Sequence, residues 1–310
     1  MANWSPMTNI INRGAVTREL FVGVPCYGGM VSCLTVNGLL TTQVSLFASG
    51  LPLRFPSFVA NESLVTRARN RIVAQFLATT CSHLLFVDAD IGFTAKDVEA
   101  LVRSGFEVVG GAYPQKTIEW RRVVDLVKSG CPAEQLAVRA GLYAANRTLQ
   151  DLANGTVSVI EKNDGRFVEV QDVATGFLLI KRDALLRYIA RYEDEIAYTA
   201  DYSPHRGETH YDVFGVGRDP VASAEVRERE LLRRLLDAVR NGQDTAALIE
   251  EIDALKAAPG AVVRYLSEDY FFSRRWQAMG GQTFVALDCK LSHLGAYVFE
   301  GDVDAAVRGV

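Results

Sequence analysis

Short unbroken apolar runs alternate along the chain with longer stretches whose apolar residues recur at helical spacing. Leu20 to Pro25, Leu84 to Val87, Glu107 to Ala112, Thr175 to Ile180 and Thr283 to Leu287 read as strands buried on both faces. Val44 to Ala48 reads as a further strand, and Phe55 to Phe58, with Pro52 and Pro56 nearby, as loop. Met30 to Thr42 sets Leu34, Leu39 and Leu40 on a helical face. Asn61 is a candidate N-cap for a helix to Thr79 with Leu64, Ala68, Ile72 and Phe76 in one stripe. Thr94 similarly opens a helix through Arg103, and Asn163-Asp164-Gly165 between two apolar segments predicts a hairpin. Strand and helix in alternation predict an α/β fold: an open, mostly parallel, Rossmann-like sheet flanked by helices.

The same pattern divides the chain. Residues 1–18 form an irregular leader, 19–118 the first α/β half, and 119–156 a helical insertion broken at Gly130-Cys131-Pro132. Residues 157–218 continue the sheet and end in a polar, aromatic loop with His205 and His210, expected to be mobile at a site mouth. In 219–260 two amphipathic helices meet at Asn241-Gly242, the first burying Leu231, Leu232, Leu235, Leu236 and Val239, the second Leu248, Ile252 and Leu255. This inserted hairpin suits packing, homo-oligomer formation or acceptor binding. Residues 261–310 return to α/β character.

At 310 residues, 49% hydrophobic and 23% charged, the composition is that of an ordinary globular protein. A net charge of -4 with scattered Lys and Arg gives no overall basic field to recruit nucleic acid. Five widely spaced cysteines without a CxxC pair argue for a reducing compartment and no structural metal. No apolar run has membrane-spanning length, and the first residues lack a signal-peptide core, so a cytoplasmic location is the expectation.

The chemistry concentrates where strands end. Leu84 to Val87 delivers Asp88 and Asp90 to a C-terminal strand edge, where open α/β sheets bind ligands. Two carboxylates one residue apart can share Mg²⁺ or Mn²⁺, with phosphate oxygens completing the shell; an acidic pair there also caps the turn into the next helix. Arg67, Arg69 and Arg71 read either as a solvated face or as phosphate contacts, and Lys116, at another strand end, as a solvated side chain or a phosphate contact. Glu268 and Asp269 begin a late helix, where the dipole alone favours acids and where either is also a candidate general base. His293 is either an interior histidine or a further metal ligand.

Taken together, L-F-V-G-V-P, Ala68-Arg69-Asn70, L-L-F-V-D-A-D-I-G-F, Ala174 to Arg182, S-E-D-Y-F-F-S-R-R-W and the late histidine resemble the nucleotide-sugar-dependent glycosyltransferases of the GT-A fold. The resemblance implies that 19–118 is the nucleotide-sugar-binding half and 261–310 the acceptor and catalytic half. It implies nucleoside contacts at Pro25, Cys26 and Tyr27, and donor contacts at Arg69, Asn70, Asp88 and Lys116. Asp88, Asp90 and His293 would hold Mn²⁺ or Mg²⁺ on the diphosphate of a UDP- or GDP-sugar. The E-D pair is similar to that of the inverting family that includes cellulose and hyaluronan synthases, which implies Asp269 as base with Glu268 in support. Arg274-Arg275-Trp276 departs from those synthases' Q-x-x-R-W, so no processive polymerase is implied, and a retaining mechanism stays open beside the inverting one.

Tyr113 to Trp120, reading Y-P-Q-K-T-I-E-W, is similar to uncharacterised phage-encoded members of the fold. That likeness implies a host-cytoplasmic setting and an acceptor that is a glycan, a modified nucleic-acid base or a protein. Three rivals remain. A haloacid-dehalogenase-like phosphatase also uses a strand-end DxD, but near the chain's start. A nucleotidyltransferase would place basic residues in the first loop, where Cys26 to Val31 has none. A glycan-binding or virion module would need no metal.

Overall fold

Leu20, Val22 and Val24 of strand β1 (Thr17–Cys26) enter one buried cluster and Phe21 enters another, so alternate residues serve opposite faces and both faces are covered. In strand β3 (Cys81–Val87), Leu84 and Phe86 divide from Leu85 and Val87 in the same way. Runs without polar alternation are therefore the mark of a sheet between two helical layers. The computed structural model describes residues 16–219, except 51, 55, 144–150 and 153, and residues 231–308, except 233, 237, 258–263 and 296–297.

One eight-stranded sheet organises the described residues, in the order β2-β1-β3-β8-β5-β13-β7-β6. Its other members are β2 (Ser57–Ala60), β5 (Val108–Gly111), β6 (Ile160–Lys162), β7 (Gly165–Val170), β8 (Phe177–Lys181) and β13 (Thr283–Ala286). Most strands run in one direction. The exceptions are β8, antiparallel to both β3 and β5, and β7, antiparallel to β13 and β6. Strands from 19–118, 157–218 and 261–310 thus enter one sheet. The turn between β6 and β7 holds Asn163 at φ 49° and Asp164 at φ 62°, the left-handed pair that a tight hairpin requires.

Helix α1 (Cys33–Ala48) and helix α3 (Ala95–Ser104) pack together on the face lined by Leu20, Val22 and Leu85. Helix α2 (Val65–Leu77) covers the other face beside helix α6 (Arg182–Ile196) and helix α8 (Glu268–Ala278). α2 lies close because β1 has Gly23 under it: a Cβ there would stand 2.1 Å from Ile72 Cγ2. Thr94 and Asp97 form a reciprocal capping box on α3, so that boundary agrees with the sequence. Within 119–156 lie α4 (Trp120–Lys128) and α5 (Ala133–Ala140), packed on each other; Ala246–Ala257 forms α7, and β11 (Gly217–Arg218) pairs antiparallel with β12 (Tyr265–Leu266). No helix among the described residues is long and apolar enough to cross a membrane.

Several expectations are corrected. Val44 to Ala48 is the end of α1, because buried Leu46 extends the stripe of Thr35, Leu39 and Thr42, whereas Leu40, Val44 and Phe47 are exposed. Ser57 to Ala60 is an edge strand rather than loop. Asn61 turns the chain at φ 58° and caps nothing; α2 begins after Leu64, which is itself exposed. Residues 192–219 are not a loose loop. α6 continues to Ile196, and β9 (Ala197–Thr199) with β10 (Thr209–Tyr211) makes a hairpin whose Tyr211, with the following Val213 and Phe214, is buried. In 219–260, Leu231 and Ile252 are buried as expected, while Leu232, Leu236 and Val239 are exposed. Residues 220–230 of that insertion lie outside the described residues, as do residues 1–15 of the leader.

Candidate donor and catalytic site

β1, β2 and β3 point their C-terminal ends at one cavity of about 650 Å³, within the usual range of small-molecule sites. Pro25, Cys26 and Tyr27 form one wall, Val59, Glu62, Val65 and Ala68 another, and Asp88, Ala89 and Asp90 a polar end. Tyr27 is 81% exposed, a free aromatic face at the rim, while Cys26 is buried and its thiol donates to the Val24 carbonyl. Burial and nearby Asp88 push the Cys26 thiol pKa up, so it stays a neutral wall residue.

The Asp88–Asp90 turn is held by the start of α1. Ser32 N–H donates to Ala89 O at 2.7 Å, and the Thr35 hydroxyl lies 2.9 Å from both Ala89 O and Ile91 O. Immediately after the turn, β4 (Ile91–Gly92) pairs with β14 (Ser292–Leu294), which places His293 opposite Ile91 and beside Asp90. His293 Nδ1 is 2.9 Å from Pro114 O. A carbonyl only accepts, so Nδ1 carries the hydrogen and Nε2 faces Asp90 Oδ1 at 3.5 Å. Lys116 Nζ holds the other oxygen, Asp90 Oδ2. Burial opposes the charge on Asp90, but His293 and Lys116 together hold its carboxyl down to about 2.

Arg69 joins this end of the sheet to the late helix. Its side chain is buried, with Nη2 donating to Asp88 Oδ1 at 3.0 Å and Nε to Glu268 Oε1 at 3.1 Å, while Nη1 has no partner. Burial disfavours the guanidinium charge, yet Asp88 and Glu268 more than offset that and raise its pKa. Next to Glu268, Asp269 Oδ1 accepts from the Ser267 hydroxyl at 2.5 Å and from Tyr270 N–H at 2.8 Å, and among the described residues no hydrogen bond engages Oδ2. Burial first, then Glu268, raises the Asp269 pKa. A carboxylate so shifted is a stronger base than one in water.

The expected residues therefore divide. Pro25, Cys26, Tyr27, Asp88 and Asp90 line the cavity, Lys116 and His293 contact Asp90, and Glu268 is reached through Arg69. Asn70 is not among them: its amide donates to Asp212 at 2.5 Å and its oxygen accepts from Phe214 N–H at 2.9 Å, so it locks the 212–214 segment to α2. Arg67 and Arg71 flank Glu62 at 3.6 Å and so shape the cavity wall indirectly. Asp88, Asp90 and His293 do not close as tightly as a formed metal cage. Among the described residues the trio of possible ligands within 4.8 Å of one another is His205, Glu208 and His210.

Two members escaped sequence reading. Glu62 lines the cavity although it resembles a helix-start acid. Tyr113 packs edge-on to His293 at 5.2 Å and occupies the space where a Cβ on Gly176 would stand, 2.6 Å from its ring and hydroxyl. Burial, reinforced by Asp88, keeps that phenol protonated by raising its pKa. The adjacent signals were Gly176 in Thr175-Gly176-Phe177 and the position of Tyr113 just beyond β5. No protein-family model and no curated protein matches the chain.

Proposed function

We propose that the protein is a divalent-metal-assisted glycosyltransferase of the GT-A type, moving a sugar from a nucleoside-diphosphate donor to a hydroxyl acceptor with inversion. The observation that supports this most directly is the buried Arg69 bridge, which brings the strand-end acid Asp88 and the late acid Glu268 together at the edge of a nucleoside-sized cavity. The nucleoside would lie against Pro25, Cys26, Tyr27 and Val59, with its diphosphate toward Asp88 and Asp90.

Asp88, Asp90 and the Nε2 of His293 are the chain's groups for Mn²⁺ or Mg²⁺. The donor set fits, because Nδ1 of His293 is already committed to Pro114 and a cationic ammonium, that of Lys116, already sits on Asp90. Such an ion neutralises charge on a leaving diphosphate. Lys116, 39% exposed on its side chain, is free to exchange Asp90 for a phosphate oxygen. Asp269 Oδ2 takes the acceptor's proton as the hydroxyl oxygen bonds to the anomeric carbon. The bond from that carbon to the diphosphate breaks, its electron pair leaving with the diphosphate. Arg69 holds Glu268, and so the start of α8, in register with Asp88.

The test is thermal unfolding against UDP, GDP and their sugars, with and without Mn²⁺, for wild type, Asp90→Asn and Asp269→Asn. A metal-dependent rise is expected in wild type and Asp269→Asn but not in Asp90→Asn, because a ligand specific for the folded state raises its midpoint. Sugar transfer or donor hydrolysis is expected in wild type alone. Turnover by Asp269→Asn would remove the base, and the absence of any nucleotide-induced shift would remove the transferase reading.

A further inference from the structure

The β9–β10 hairpin carries a second cluster, separate from the donor cavity. His205 Nδ1 stands 3.0 Å from Glu208 Oε2, and His210 Nε2 stands 3.5 Å from the same oxygen. Two imidazoles thus converge on one carboxylate oxygen, with the three ligand atoms within 4.8 Å of one another. For bonds of about 2.0–2.1 Å to a tetrahedral ion, neighbouring ligand atoms lie roughly 3.3 Å apart. The observed 3.0 and 3.5 Å bracket that edge.

The surroundings are those of a metal-binding histidine. His210 is buried, and its other nitrogen, Nδ1, is 2.9 Å from the Tyr202 hydroxyl, which fixes the ring so that Nε2 faces Glu208. Tyr202 is in turn covered by the Arg71 guanidinium, 4.5 Å from its ring centre. Behind the cluster the hairpin faces Val73, Ala74 and Leu77 of α2 across a small cavity. His205 and Glu208 are partly open to solvent, leaving access for water as a fourth ligand.

We propose that His205, Glu208 and His210 bind one first-row transition-metal ion, with Zn²⁺ as the best-matched occupant, as a structural clip. Two imidazoles and a carboxylate favour Zn²⁺ over Mg²⁺, which prefers oxygen-only shells. The ion would tie the turn that holds His205 and Glu208 to His210 of β10, the strand that packs against the helix carrying Arg69 and Asn70. Asp212, just beyond β10, already bonds Asn70, so the clip acts on the register of the segment that backs the donor site. This inference does not depend on the transferase reading.

The test is calorimetric titration with Zn²⁺ of the Asp90→Asn/His293→Ala chain, in which the donor-side ligands are removed, accompanied by thermal unfolding. One equivalent of Zn²⁺ and a raised midpoint are expected, with no shift from Mg²⁺ at the same concentration. Adding either His205→Gln or Glu208→Gln should abolish both effects while leaving the metal-free midpoint unchanged, since these side chains are solvent-accessible. Co²⁺ should give the strong visible absorption of a tetrahedral site, lost in the same variants. Zn²⁺ binding that persists in His205→Gln and Glu208→Gln, or its absence from the starting chain, overturns the proposal.

Discussion

Replacing Arg69 by Met keeps the aliphatic stem and removes the guanidinium. Glu268, with a side chain 12% exposed, and Asp88, 28% exposed, would then lose their buried cationic partner. Hydrogen bonds to charged groups contribute about 1.5–3 kcal/mol each, and two are lost here. Asp88 recovers some hydration through its exposure, while removal of the unpartnered Nη1 relieves a donor that has no acceptor in the folded state. The net loss should be about 3–5 kcal/mol, the usual cost of breaking a buried pair by deleting one member. At roughly 2–4 °C per kcal/mol for a chain of this order of size, the midpoint should fall by about 6–20 °C. Arg69→Lys should recover only part, since a single ammonium cannot present Nε and Nη2 to two carboxylates at once. Thermal and urea unfolding measure both variants. A midpoint for Arg69→Met within about 1 °C of wild type would refute the bridge as a stabilising element.

Two further outcomes follow from the packing. Arg182 is buried and donates from Nε to Cys81 O at 2.6 Å and from Nη2 to Phe76 O and Thr79 O, each at 2.9 Å; Arg182→Met should cost about 3 kcal/mol or more in urea unfolding, because three hydrogen bonds from a charged donor are lost. Burial first, then Lys181 and Arg18, push His83 down to about 4, so between that value and the ordinary imidazole range the unfolded chain binds the proton that the folded chain refuses. Stability from this group is therefore complete above about pH 6.5 and is lost as pH falls toward 4, on the order of 2–3 kcal/mol, and His83→Gln should flatten that part of the pH–stability curve. An unchanged slope in the variant would assign the acid sensitivity to other groups.

The sequence was most readable where one physical cause acted locally. Leu84 to Val87 is apolar on both faces and is a central strand; Thr94 with Asp97 caps its own helix; Asn163 and Asp164 adopt the left-handed geometry that their side chains tolerate. Reading failed where a neighbour far along the chain set the outcome. Phe177 to Lys181 has the apolar character of its parallel neighbours, yet it runs antiparallel between β3 and β5, and nothing in its own residues records direction. Exposed Val44 and Phe47 imitate a strand at the end of α1 because short apolar runs do not declare which side is covered. The loop expected at 192–219 is an ordered hairpin, since Tyr211, Val213 and Phe214 find the core surface behind them.

For the site, the chain alone determined that Asp88 and Asp90 stand at a buried strand's end and that Glu268 and Asp269 open a helix, because hydrophobic runs and capping preferences are local. Tertiary structure alone decided that Arg69, one of three arginines on α2, is the buried one, for its burial is tolerable only where Asp88 and Glu268 arrive to pair it. It also decided that Asn70, its immediate neighbour, serves packing, and that His293 turns Nε2 toward Asp90 because Pro114 offers a carbonyl to Nδ1. Charge and hydrogen-bond partnership depend on distance in space, and Arg69 and Glu268, 199 positions apart, reach that distance only once the sheet has formed.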